Sequence, residues 1–186
     1  MRTGLQLSIG RVTGLWLALW LSSVAWAADK PSASAEKRKE VEQTIELFKK
    51  TDPDLKKFFD EAVGYAVFPT VGKGGIGVGG ARGTGLVFEK GKLIGEATLT
   101  QVTVGFQLGG QAYSELIFFE TTEALEAFKA GRFAMSAQVS AVAAAAGASK
   151  NAKYRLGVAV FTLAKTGLMY EASVGGQKFK FKPIQP

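Results

Sequence analysis

Eight glycines fall within fourteen residues, from Gly72 to Gly85, directly after the apolar run Tyr65-Ala66-Val67-Phe68-Pro69. A stretch so poor in side chains can do two things. It can form a loop whose backbone cradles a phosphate, or strands against which something packs closely. Gly72-x-Gly74-x-x-Gly77 and Gly75-x-Gly77-x-x-Gly80 both match the G-x-G-x-x-G fingerprint. Dense glycine runs produce such overlaps unaided. The dinucleotide reading needs a helix after the glycines, because the helix N-terminus holds the pyrophosphate. Here the strand-like Thr84-Gly85-Leu86-Val87-Phe88 follows, and no G-x-x-x-x-G-K-[ST] occurs. Gly75, Gly77 and Gly79 alternate with Ile76 and Val78, the period of a strand with one bare face. Such a face suits close approach of another backbone or an acyl chain.

The 186 residues include no His and no Cys. Thiol nucleophiles, zinc sites and Ser-His-Asp triads are thereby excluded. Carboxylate, Lys or Tyr chemistry remains. Glu96, Glu115 and Glu171 fall on predicted strands and would support acid–base work only if a pair met. Nothing in their spacing brings two together, and no loop has the acidic density of a calcium site. We therefore expect no catalytic residue, no metal site and no cofactor, with a carboxylate-based hydrolase as the remote alternative.

The N-terminus reads as a signal peptide. Arg2 and Arg11 precede an apolar stretch, Leu15-Trp16-Leu17-Ala18-Leu19-Trp20-Leu21, and then Ala25-Trp26-Ala27. This is the n-region, h-region and A-x-A order, and the run is shorter than the ~20 residues that span a bilayer. The expected organisation is a leader 1–27 cleaved after Ala27, a flexible lead-in 28–35, and one domain over 36–186. Export without disulfides suits a bacterial periplasmic protein, free or membrane-associated. The net charge is +7, of which Arg2 and Arg11 contribute two. A positive excess outside the cytoplasm points to anionic lipid rather than nucleic acid, for which no aromatic–basic motif is present.

From Glu36 to Lys50 the chain is rich in helix formers, and Val41, Ile45 and Phe48 recur at i, i+4, i+7. Asp52-Pro53 restarts a helix with Leu55, Phe58, Phe59 and Ala62 on its apolar face and Gly64 as its end. The period then becomes strand-like. Thr84–Glu89 and Lys92–Ala97 form a hairpin about Lys90-Gly91. From Thr98 to Leu108, Val102, Val104, Phe106 and Leu108 take one face and Gln101, Thr103, Gly105 and Gln107 the other. Gln111–Glu120 is apolar on both faces, as in a central strand. Thr121-Thr122-Glu123 starts a short helix through Lys129, closed by Gly131. Phe133–Ala148 is ambiguous, with a strand of small residues favoured over a helix. Leu156–Lys165 and Gly167–Val174 pair, and Lys178–Lys182 alternates lysines out with phenylalanines in. The fold class is α+β: a curved, mostly antiparallel sheet or barrel with N-terminal helices and one short inserted helix.

Gly64-Tyr65-Ala66-Val67-Phe68-Pro69, Lys73-Gly74-Gly75-Ile76-Gly77-Val78-Gly79-Gly80 and Gly83-Thr84-Gly85 together resemble the SYLF domain. Val104-Gly105-Phe106-Gln107-Leu108-Gly109-Gly110-Gln111, the helix Thr122–Phe128 and Tyr170-Glu171-Ala172-Ser173 fit the same pattern. The resemblance runs from about Lys37 to Phe181. It implies a non-enzymatic, phospholipid-binding module; eukaryotic members bind phosphoinositide and some bundle actin, ligands not expected in a periplasm. The expected partner is an anionic phospholipid or membrane surface, with an envelope protein as the alternative. Lys73, set among exposed amides, is the first candidate for a head-group phosphate and Arg82 the second. Lys178, Lys180 and Lys182 share a strand face that could lie on an anionic membrane or merely protect an edge. Val41, Ile45 and Phe48 are candidates for membrane insertion, or else for packing on the sheet.

Overall fold

The computed structural model describes residues 33–76, 78–104, 110–133, 140–166 and 175–184. The expected leader 1–27, most of the lead-in, the strand 167–174, Phe106, Leu108 and Glu171 lie outside these residues.

Helix α1 (Ala33–Thr51) begins three residues before Glu36, so the end of the expected lead-in is helical. It stops at Asp52-Pro53, since a residue preceding proline disfavours helical backbone. Pro53–Leu55 makes a 3-10 turn that leads into α2 (Lys56–Glu61). Asp52 caps this turn by position, but its side chain does not bond there. Its buried Oδ2 accepts the Ser149 backbone N–H at 2.7 Å, capping a second 3-10 turn, Ala148–Asn151. Gly64 does not end α2; it opens β1, where a Cβ would meet the Phe88 carbonyl oxygen at 2.6 Å.

Among the described residues seven strands form one sheet: β1 (Gly64–Ile76), β2 (Val78–Glu89), β3 (Lys92–Val104), β4 (Gln111–Phe119), β5 (Ala141–Ala143), β6 (Val158–Thr166) and β7 (Lys178–Pro183). Their order is β5-β6-β4-β1-β2-β3-β7. All pairings are antiparallel except β5 with β6. The glycine run is thus the β1–β2 hairpin. Lys90 and Gly91, with φ of 48° and 76°, make the two-residue turn into β3. Within Phe133–Ala148, residues 134–139 lie outside the described ones, and among those described the strand reading holds for Ala141–Ala143. Helix α3 (Thr122–Lys129) is capped as expected, with Thr121 Oγ1 accepting the Ala124 N–H.

The sheet has two cores. On its outer face Val41 and Phe48 of α1, Leu55 and Phe58 pack on Val67, Leu86, Leu116, Phe118 and Phe161. The Phe58 ring lies 4.9 Å from Phe161 and 5.5 Å from Phe118. On the inner face Ala66, Phe68, Leu99, Ile117, Phe119 and Val160 surround Leu125 and Phe128 of α3. Inward curling brings the Phe179 ring of β7 to 5.9 Å from Phe68 of β1 and 4.9 Å from Phe128. The curl stops short of a barrel: β5 and β7 remain edges.

Candidate anionic-surface site

The site is set by a bulge. β1 pairs Val67 with Leu86 and then Thr70 with Thr84, gaining one residue on β1. It does so beside β4 as well, between Phe68 and Val71. Pro69 sits in this bulge, which a proline in a central strand requires because it has no N–H to donate. Ser114 Oγ donates to the freed Pro69 carbonyl at 2.7 Å. Before the bulge Val67 packs on the outer face; after it Val71 packs on the inner one. Every later residue of β1 follows Val71.

Lys73 therefore stands abreast of Ala81 and Gln111 on the inner face, half-buried. Arg82 stands on the outer face. Register aligns Gly72, Arg82, Thr100 and Lys178 in one row across four strands. The next row toward the helices is Thr70, Thr84, Thr98 and Lys180. Strands lie about 5 Å apart, so Arg82 and Lys178 are separated by about 10 Å. Arg82, Lys178 and Lys180 are exposed, as are Thr84 and Thr100 between them. No carboxylate shares these two rows. Lys182 belongs to the face but pairs with Glu96, which also accepts from Lys37 Nζ at 2.9 Å. Glu40 borders the site on the other side, accepting from Thr70 Oγ1 at 3.3 Å with Lys165 Nζ at 3.9 Å.

The structure thus brings together Arg82, Lys178 and Lys180, sets Lys182 beside an acid, and puts Lys73 through the sheet from them. Val41 and Phe48 are wholly buried and Ile45 packs beside them. In this fold their surface is spent on the outer core and is not open to a bilayer.

At the end of β3 residue alternation runs opposite to hydropathy. Gln101 is 4% exposed and Val102 is 76% exposed. Gln101 Nε2 donates to the Gly175 carbonyl at 2.7 Å, and β4 carries a buried polar group that sequence reasoning did not single out. Glu115 is fully buried on the inner face of β4. Gln177 Nε2 donates to its Oε2 at 2.8 Å and lies 3.4 Å from Tyr113 Oη. Burial pushes the Glu115 carboxyl up from 4.5 to about 7, while hydrogen bonds to Gln177 and Tyr113 pull the other way. Burial, and then the Glu115 charge, raise the Tyr113 phenol. Thr162 faces Glu115 across the ladder and is also buried. A glutamate followed by Leu116-Ile117-Phe118-Phe119 in a strand apolar on both faces was the available signal. Glu96 lies on the opposite face, so these two carboxylates do not form an acid–base pair.

Residues 100–183 match the family model described as Ysc84, Las17-binding protein actin regulator. The match covers the end of β3 and all of β4 through β7. Beta cell expansion factor A of Aeromonas veronii is 29% identical over 138 residues, 73% of this chain and 51% of that protein. The chain thus spans about half the length of the curated relative it matches. The family, whose module is the SYLF domain, is linked to actin and lipid binding and is generally non-enzymatic.

Proposed function

We propose that this chain, whose residues 100–183 carry the Ysc84 (SYLF) domain, is an exported, non-enzymatic protein that binds anionic phospholipid through the outer face of its sheet. The observation that carries this reading is the grouping of Arg82, Lys178 and Lys180 beside exposed threonines, with no carboxylate in register with them. Arginine offers a phosphate two parallel N–H donors, and threonine hydroxyls add neutral ones. Each basic residue near an anionic surface contributes about 1 kcal/mol, so three contribute about 3 kcal/mol. Attachment of that size is reversible and weakens as salt screens it.

Co-sedimentation with vesicles containing phosphatidylglycerol or cardiolipin, at low salt, tests the reading. We expect binding that falls with added salt and is lost in Arg82→Glu/Lys178→Glu. Folded protein that stays in the supernatant with anionic vesicles overturns it. A protein partner is the second reading, favoured by the binding partner named in the family's description. It gains if a pull-down from the envelope fraction retains its partner in that same double variant.

A further inference from the structure

The outer face continues past the basic row toward the β1–β2 turn. The next row in register is Gly74, Gly80 and Val102, and the last pairs Ile76 with Val78 and Val78 with Val104. A Cβ at Gly72 or Gly74 would meet nothing within 4 Å, so the floor here is bare backbone open to its surroundings. Val102 rises from it, 76% exposed. Along one axis the face passes from threonine and lysine, through arginine and lysine, to glycine and valine. Water favours no such order, whereas the edge of a bilayer has it: head groups, then phosphates, then acyl chains.

We infer that this end of the hairpin enters the membrane, with Val102 below the phosphate plane and Arg82 and Lys178 at it. The inference rests on the anionic-lipid reading and gives it a depth and an orientation. Two residues along a strand advance about 7 Å, so Val102 sits about 7 Å beyond the basic row. Interfacial elements bury to about 5–10 Å, which is the same depth. Lipid demands that backbone polar groups be satisfied internally. β2 meets that demand at this end, being paired on both sides from Val78 to Thr84. A smooth glycine floor also lets acyl chains lie against paired backbone without steric relief. The two contributions complement each other: cations bring the face to an anionic surface, and apolar contact holds it once salt screens them.

The chain has no cysteine, so a single Val102→Cys can carry an environment-sensitive NBD label. Lys92→Cys, exposed and about 33 Å away along the same strand, is the control. The full chain is mixed with phosphatidylglycerol/phosphatidylcholine vesicles, with and without acyl-chain spin labels. We expect the label at 102 to brighten several-fold, shift to the blue and be quenched by shallow spin labels, and the label at 92 to do none of these. Val102→Asp, at an exposed site, should keep its thermal midpoint yet lose several-fold in the fraction bound to vesicles, most of all at high salt. Vesicles that bind the protein while the label at 102 stays in water overturn the insertion and leave the lipid reading standing. Absence of binding to any vesicle overturns both. A blue shift at 102 that needs no lipid and grows with protein concentration shows self-association in its place and overturns the insertion.

Discussion

Gly74 and Gly85 belong to one hairpin and one glycine run, and they meet opposite surroundings. A Cβ at Gly85 would lie 2.2 Å from the Val67 carbonyl oxygen and 2.8 Å from Phe68 Cδ1; one at Gly74 would meet nothing within 4 Å. Gly83 resembles Gly85, with Val71 Cγ2 at 2.8 Å, and Gly72 resembles Gly74. The difference is one of face. Inner-face glycines let neighbouring strands and phenylalanines crowd together where the sheet curls. Outer-face glycines support no packing and leave the surface smooth. A compositional bias that looks uniform thus serves the core on one side and the exterior on the other.

The largest effect is expected where that contrast is steepest. Gly85→Ala must displace backbone, and overpacking of this kind costs about 3 kcal/mol; urea unfolding with an unchanged slope would measure it. A loss below about 1 kcal/mol would show that the inner face yields easily and would blur the contrast.

Next is the inner face's polar group. Glu115 holds its proton more tightly folded than unfolded, with about 7 against 4.5. Between those values the folded state binds more protons, so stability falls as pH rises from 4.5 to 7. Tyr113, Gln177 and Thr162 are the polar groups described around it. Glu115→Gln should remove that loss, about 3 kcal/mol, making the variant more stable at pH 8 and flattening its profile. Equal pH slopes in the two proteins would count against a buried, neutral-side carboxyl.

Smaller again, Gly72→Ala and Gly74→Ala should each stabilise by up to about 1 kcal/mol, because Ala restricts the unfolded chain and meets no obstacle when folded. Destabilisation at either site would mean the outer floor is packed after all. The smallest change in stability, within about 0.5 kcal/mol, is expected for Arg82→Glu/Lys178→Glu, the same variant expected to abolish vesicle binding. Stability and binding measured on one sample would separate the two roles of the sheet.

Much of this was legible before the fold was known. The Lys90-Gly91 turn, the capped helix α3, the central β4 and the alternating lysines and phenylalanines of β7 each follow from local chemistry. What was not legible turns on Pro69. Strict alternation from Val67 puts Lys73 on the outer face beside Arg82; the bulge gains one residue and moves it inside. A proline between Phe68 and Thr70 in a strand otherwise buried was the clue, but period-2 reading has no place for an extra residue. Val102 and Gln101 failed for another reason. Hydropathy assumes that apolar means inward, and a valine left 76% exposed beside a buried glutamine breaks that assumption.

The bond from Ser149 N to Asp52 Oδ2 joins residues 97 apart in sequence. Closing a loop of that length costs about 4 kcal/mol of chain entropy, more than a single hydrogen bond returns. The turn at Ala148–Asn151 therefore has to wait until α1 and α2 are seated on the sheet. Hydrogen exchange should find it among the last segments to gain protection during refolding and the first to open under mild denaturant, with the three-residue β5 released alongside it.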